Sequence, residues 1–323
     1  MIELDKDGIT QKTIAKLANV SPSVVSRYIT TKEISTLANT SGRQRNLKYS
    51  IEDSRNIIKN FLDVTEQVKL KKHIFYNFKG GTGKTSICFQ VSSHFALMGF
   101  KVLAIDADPQ AHLSSSIGFP NDDLSLTLYD VIVTRQRLSD VIKSVYPGLD
   151  CIPSNLSLSK LEVELNNLPK REERLAIELN ELESKYDFIF IDTNPTISIL
   201  NRNIINFADV IHIVCETQPY SLNGLKILME DLLRFFEQMR IPFKEMNIIP
   251  NKYEDRSTNA AEAMSALKAY YSKYVQNDFA IRKSEDITTA AKIGKPLALF
   301  VKKNSIALED VIELVQYILK ISI

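Results

Sequence analysis

The sequence predicts an α/β fold, a mostly parallel twisted sheet flanked by helices, preceded by a small, mainly helical unit. Three observations predict it. An apolar run at 73–78 meets a glycine-rich turn and then a helix-like segment at 86–98, closed by Gly99. Further apolar runs at 101–106, 186–192, 209–215 and 246–250 are separated by helical stretches, the pattern of strands buried on both faces. Ahead of them, residues 10–30 carry two short apolar faces at helical spacing.

Composition bounds the chain before any motif does. At 323 residues, 44% hydrophobic and 24% charged, it suits one large soluble domain and a small one. No run of about 18 apolar residues reads as a membrane span, and the acidic start Met1-Ile2-Glu3-Leu4-Asp5 lacks a signal-peptide core. Cys88, Cys151 and Cys215 have apolar neighbours and no C-x-x-C spacing, so they read as buried thiols in a reducing cytoplasm. The net charge of +1 hides an uneven distribution. Residues 1–72 hold 13 Lys+Arg against 8 Asp+Glu, 73–243 hold 15 against 21, and 244–303 hold 11 against 7. Two basic regions around an acidic middle suggest two separate nucleic-acid contacts.

The glycine-rich turn is Lys79-Gly80-Gly81-Thr82-Gly83-Lys84-Thr85-Ser86. A strand, a glycine turn and a helix N-terminus make an anion site, where inward N–H groups and the helix dipole favour negative charge. Gly80, Gly81 and Gly83 let the backbone wrap a phosphate. Lys84 is placed to reach the β- and γ-phosphates and Thr85 to ligate Mg²⁺. Phe78 stands where the common phosphate loop begins with glycine, and the added Lys79 resembles the deviant Walker motif of the ParA/MinD class of ATPases. That resemblance implies ATP as substrate, and Lys79 reaching across a homodimer to the partner's nucleotide.

Three further stretches resemble the same family. Asp106-Ala107-Asp108-Pro109-Gln110 ends a strand beside the phosphate loop. By the match, Asp108 orients the attacking water and Asp106 supports water and metal. Asp192, ending the strand at 186–192, matches the Walker B carboxylate, with Thr193-Asn194-Pro195 departing from the family's D-x-P-P. Gln218 to Leu225 resembles the family's turn into a dimer-interface helix. Asn251, after the strand at 246–250, matches a loop that contacts adenine. Residues 111–185 carry no assigned chemistry: 124–138 read as a helix, 149–152 as a short strand and 156–184 as a charged helix or helix pair.

The N-terminal segment reads as a winged helix-turn-helix. Ile14, Leu17 and Ala18 form one face; Val24, Val25, Tyr28 and Ile29 form a second. Asn19 suits a left-handed turn, and Ser21 with Pro22 suits a helix start. Residues 22–29 then form the recognition helix, with Ser23, Ser26 and Arg27 toward the major groove. The basic stretch at 42–50 forms the wing, with Arg43, Arg45 and Lys48 near phosphates. The expected organisation is a DNA-binding domain at 1–50, a helical linker or dimerisation segment at 51–72, and an ATPase domain at 73–323.

Near the C-terminus, 280–286 with Gly294-Lys295-Pro296 resembles the part of the family that lies on DNA phosphates, and Arg282, Lys283, Lys292, Lys295, Lys302 and Lys303 are the candidates. The last helix, 307–323, has apolar spacing for core packing and only Lys320 as a basic residue, unlike a basic membrane anchor. The resemblance therefore implies a nucleoid-associated, cytoplasmic partition ATPase using ATP and Mg²⁺. It would bind nonspecific DNA as an ATP dimer, respond to a ParB-like centromere-binding partner and repress its own operon through the N-terminal domain. The alternatives are a MinD-like membrane-positioning ATPase and a nucleotide-responsive regulator without turnover.

Overall fold

The computed structural model describes residues 7–37, 47–62, 68–119, 125–276, 279–302 and 304–323. The N-terminal part holds β1 (Ile9–Thr10), α1 (Gln11–Leu17), α2 (Pro22–Thr31), β2 (Lys48–Tyr49) and α3 (Ile51–Phe61). Then come β3 (Lys71–Tyr76), α4 (Lys84–Leu97), β4 (Val102–Ala107), α5 (His112–Ile117), α6 (Leu128–Ile132), α7 (Leu138–Val141), β5 (Lys143–Tyr146) and β6 (Leu149–Ile152). The insertion α8 (Ser157–Asn167) and α9 (Arg174–Glu178) leads to β7 (Phe188–Thr193), α10 (Ile199–Phe207), β8 (Val210–Glu216), α11 (Pro219–Met239) and β9 (Glu245–Asn251). The chain closes with α12 (Thr258–Tyr271), α13 (Glu285–Ile293), α14 (Leu297–Phe300) and α15 (Ile306–Ser322).

Seven strands form one sheet in the order β5-β6-β4-β7-β3-β8-β9, parallel except for β5 at the edge. Alternation along each strand divides the core. Phe75, Ala104, Phe190 and Val214 share a cluster with Phe95 of α4 and Val311 of α15 on one face. Ile74, Ile105, Ile191 and Ile213 share the other with Ile204 of α10 and Leu228 of α11. Asp106 and Asp192 fall at the C-terminal ends of neighbouring central strands, the side of a parallel sheet on which ligands bind. No helix among the described residues is long and apolar enough to cross a membrane, and α15 buries Leu308, Val311, Val315 and Ile318.

In the N-terminal part, the Thr10 hydroxyl accepts from Thr13 N–H to start α1, and Asn19 takes the expected left-handed conformation, φ 53°. Pro22 opens α2 as expected, but the Ser21 hydroxyl bonds Ser23 Oγ at 2.8 Å instead of capping the helix. β1 and β2 pair antiparallel. Arg43 and Arg45 lie outside the described residues, as does Lys303. Ile14, Ile57 and Ile58 join the apolar cluster of α4 and α15. Lys16 Nζ lies 2.6 Å from Glu309 Oε1, and Gln316 Nε2 donates to Lys16 O at 2.8 Å. The Arg55 guanidinium of α3 donates to the carbonyls of Ala96, Gly99 and Phe100, where α4 ends. A positive charge there also complements the helix dipole.

Two expectations need correction, and one strand was not foreseen. The helical segment expected over 51–72 ends at Phe61, where Leu62 takes an extended conformation, and Lys71 already begins β3. The helix expected over 124–138 is two short ones, α6 and α7: Arg135 sits at φ 60° and Gln136 N–H closes a turn on Asp130 O. Residue 124 lies outside the described residues. Edge strand β5, which the sequence reading did not assign, pairs antiparallel to β6 with a register shift between Ser144 and Tyr146. The Arg55 contacts give a test of how firmly the N-terminal part is held. Arg55→Ala is expected to lower the unfolding free energy of the full chain by about 1.5–3 kcal/mol, read from the urea midpoint at unchanged slope. An unmoved midpoint would show that α4 does not depend on this guanidinium.

Candidate active site

The turn between β3 and α4 is pinned at both ends. Asn77 Nδ2 donates to Val214 O at 2.8 Å, and Asn77 Oδ1 accepts from Lys79 N–H at 2.9 Å. Gly81 (φ 75°) and Gly83 (φ 93°) both occupy the left-handed region. At Gly83 a Cβ would also lie 2.3 Å from Asn251 Nδ2, which itself donates to Thr82 O at 2.7 Å. Only glycine meets both demands. Asn251 is thus buried against the back of the loop, with its amide donor committed there.

The N-terminus of α4, 14 residues long, points into this turn with no acidic residue in its first turn. Lys84 is 6% exposed; burial lowers its pKa, while Asp192 and Asp108 pull it back up. Thr85 and Ser86 are half-buried, Gly80 is exposed, and the buried Thr82 hydroxyl has no partner. An unpartnered hydroxyl, a buried ammonium and a helix N-terminus form a cradle for a polyanion.

Behind the cradle stand the carboxylates. Strand register sets Asp106 beside Asp192. Asp106 is fully buried and accepts from Asp108 N–H (3.1 Å), Ser114 N–H (2.8 Å) and Ser114 Oγ (2.7 Å). Burial raises its pKa to about 6, against the pull of those hydrogen bonds. Asp192 is also fully buried, and among the described residues neither carboxylate oxygen has a partner at full hydrogen-bond geometry, the Thr85 hydroxyl only approaching it. Burial first, and then Asp106, push its pKa well above the usual range, opposed by the Thr85 hydroxyl and Lys84. Asp108 Oδ1 accepts from Gln110 N–H at 2.9 Å, and Ser154 Oγ donates to Asp108 O at 2.6 Å. A buried carboxylate with both oxygens orphaned, next to a threonine hydroxyl, has the donor set of a hydrated Mg²⁺. Asn194, the departure from the family pattern, is tied down: its Nδ2 donates to Glu162 Oε1 (3.2 Å) and its Oδ1 accepts from Asn201 Nδ2 (2.7 Å).

The remaining site residues are distributed as follows. Lys79 is exposed at the mouth and paired with Glu216 at 2.7 Å. Ser23, Ser26 and Arg27 lie exposed on α2, opposite buried Val25 and Ile29. Lys48 is half-buried, with Nζ 3.4 Å from Leu299 O. Arg282 grips the buried Asp310 through its guanidinium and its own N–H, Lys283 pairs with Glu254 at 2.8 Å, and Lys295 pairs with Asp7 at 2.6 Å. Lys292 and Lys302 are exposed. The sequence reading missed Glu216, Lys252, Ser114 and Ser154. Glu216 shared with Asp106 and Asp192 the one available signal, a carboxylate ending an apolar strand.

Residues 70–245 match the family model described as an AAA domain. The chain is 32% identical over 228 residues to the cell division protein PomZ of Myxococcus xanthus, covering 70% of this chain and 71% of PomZ. It is 30% identical over 227 residues to the chromosome partitioning protein ParA of Caulobacter vibrioides, covering 69% and 85%. The crystal structure of cobyrinic acid a,c-diamide synthase from Mycobacterium smegmatis, with bound ATP analogue and magnesium, shares the fold. Its TM-score is 0.67 at 20% identity, over 78% of this chain and 95% of that one.

The orphaned charge at Asp192 makes a checkable cost. In protein free of nucleotide and metal, Asp192→Asn is expected to raise the unfolding free energy by about 1–2 kcal/mol, since relief of the desolvated carboxylate and of its repulsion with Asp106 outweighs the lost attraction to Lys84. A loss of the same size in a urea titration would mean that the carboxylate has a partner within the chain.

Proposed function

This chain belongs to the ParA family of partition ATPases, and we propose that it is an ATP-driven plasmid or chromosome partition protein. The observation that carries the reading is the buried, orphaned Asp192 carboxylate beside Lys84 and Thr85 at the phosphate cradle. ATP phosphates in the cradle would take the loop N–H groups and the Lys84 charge. Thr85 would hold Mg²⁺ directly, and Asp192 and Asp106 would hold it through water. The bound ion would supply neutralising charge to the phosphate oxygens. Asp108, fixed through Oδ1 to Gln110 N–H, keeps its second oxygen to orient the attacking water.

Two such chains would close over two nucleotides, each Lys79 reaching the opposite γ-phosphate. The closed dimer would lie on nonspecific nucleoid DNA through exposed basic residues, of which Lys292 and Lys302 are the most available here. A ParB-like partner at the centromere would stimulate slow hydrolysis and release the dimer. Helices α1 and α2, the Asn19 turn and the β1–β2 ladder support a winged helix-turn-helix reading for the N-terminal part. Its exposed Ser23, Ser26 and Arg27 would read an operator and repress the partition genes.

Nucleotide binding and turnover assays test the ATPase half. Lys84→Ala is expected to lose ATP binding. Asp108→Ala is expected to keep binding while turnover falls roughly a hundredfold. Normal hydrolysis by the Asp108 variant would remove that residue's role. Gel shifts on operator and random DNA test the other half. Arg27→Ala is expected to weaken operator binding roughly tenfold or more and to leave ATP-dependent binding to random DNA unchanged. Equal losses on both DNAs would overturn the separation of the two contacts.

A further inference from the structure

The lysine expected to cross the dimer is held inside its own chain. Lys79 Nζ lies 2.7 Å from Glu216 Oε2 and 3.4 Å from Ser221 Oγ. The other oxygen of the same carboxylate, Glu216 Oε1, lies 2.8 Å from Lys252 Nζ, which also donates to Gly81 O at 2.5 Å. Glu216 therefore bridges a lysine of the phosphate loop to a lysine that itself touches that loop. Its side chain is only 12% exposed, against 45% for Lys79 and 42% for Lys252. Burial pushes the Glu216 carboxyl up, but the hydrogen bonds from Lys252 and Lys79 outweigh it and hold it below the usual range. Lys252 is fixed as well, at the end of β9 with φ 56°, a conformation that costs a non-glycine residue about 1 kcal/mol or more.

Exposed ion pairs are commonly worth little. This one differs in that a nearly buried carboxylate uses both oxygens, and both of its partners lie at the mouth of a phosphate cradle. A carboxylate and a phosphate oxygen compete for the same ammonium donors. We propose that Glu216 is an internal anion that positions Lys79 in the single chain, and that transfer of Lys79 from Glu216 to the partner's nucleotide is a step of dimer closure. The inference rests on the nucleotide-dimer reading above and adds to it the residue that sets how much nucleotide closure requires. Ser221 assists as a second acceptor for the Lys79 ammonium. Lys252 keeps the carboxylate charged and anchored beside Gly81 after Lys79 has left.

Two measurements on the full chain test this. One is sedimentation of wild type and Glu216→Gln across a titration of a slowly hydrolysed ATP analogue with Mg²⁺. The other is the rate of amine acylation at Lys79 in nucleotide-free protein, read by mass spectrometry. Glu216→Gln is expected to lower the analogue concentration for half-maximal dimer by roughly two- to fivefold, the upper range for losing one solvent-accessible ion pair, and to speed Lys79 acylation. An unchanged or higher midpoint, or unchanged acylation, overturns the proposal. A wild type that stays monomeric at saturating analogue overturns the dimer reading, and this step with it. If Glu216→Gln does not fold, Ser221→Ala is read in the same two assays. It is expected to move both in the same direction by roughly twofold, and no movement in either overturns the proposal.

Discussion

Asp106 and Asp192 occupy paired positions on neighbouring strands, and everything else around the site answers to that register. Two carboxylates at the same level of a buried sheet repel each other, and each also forfeits its hydration. The chain treats them differently. Asp106 has three donors gathered around it by the turn into α5, whereas among the described residues Asp192 has none at full hydrogen-bond geometry. A slip of one residue along β7 would turn Asp192 into an apolar face and an isoleucine toward the cradle. The aromatic and aliphatic side chains on both faces of β7 hold that register, so the large core sustains a locally unfavourable charge arrangement.

The phosphate turn was legible in the sequence because its demands are local. Glycines at left-handed positions, a lysine at the helix start and an apolar strand before it all lie within a dozen residues. The same holds for the left-handed turn at Asn19. What could not be read is what depends on distant partners. Arg282 and Asp310 are 28 residues apart, and Lys295 finds Asp7 from almost the other end of the chain. A charge tally counts all of these lysines and arginines as available for phosphate. The structure shows that Arg282, Lys283 and Lys295 are engaged by carboxylates, while Lys292 stands exposed. The break between α6 and α7 escaped for a different reason: Val131, Ile132 and Val133 form an unbroken apolar run, although the helix ends at Ile132 and Val133 already belongs to the turn.

The N-terminal part packs as one body with the helices that cover the sheet. Residues 1–72 are the more basic, and their helices look self-contained in sequence. In the folded chain Ile14, Ile57 and Ile58 belong to the apolar cluster that also packs α4 and α15. Polar contacts reinforce this at Lys16, Gln316 and Arg55. Helix α4 consequently has its N-terminus in the phosphate cradle and its C-terminus under a side chain of α3.

Gly148 shows how tightly that last contact is fitted. It holds φ 90°, and a Cβ on it would lie 1.8 Å from Arg55 Nη1. The hairpin between β5 and β6 therefore leaves a slot, and a side chain from a distant part of the chain fills it. Trimming the chain to its catalytic half would empty this slot and strip the carbonyls of Ala96, Gly99 and Phe100 of their donor. It would also bare the aliphatic flank of α15. A fragment cut after α3 would thus be a wounded molecule, and its poor solubility or activity would report the excision itself.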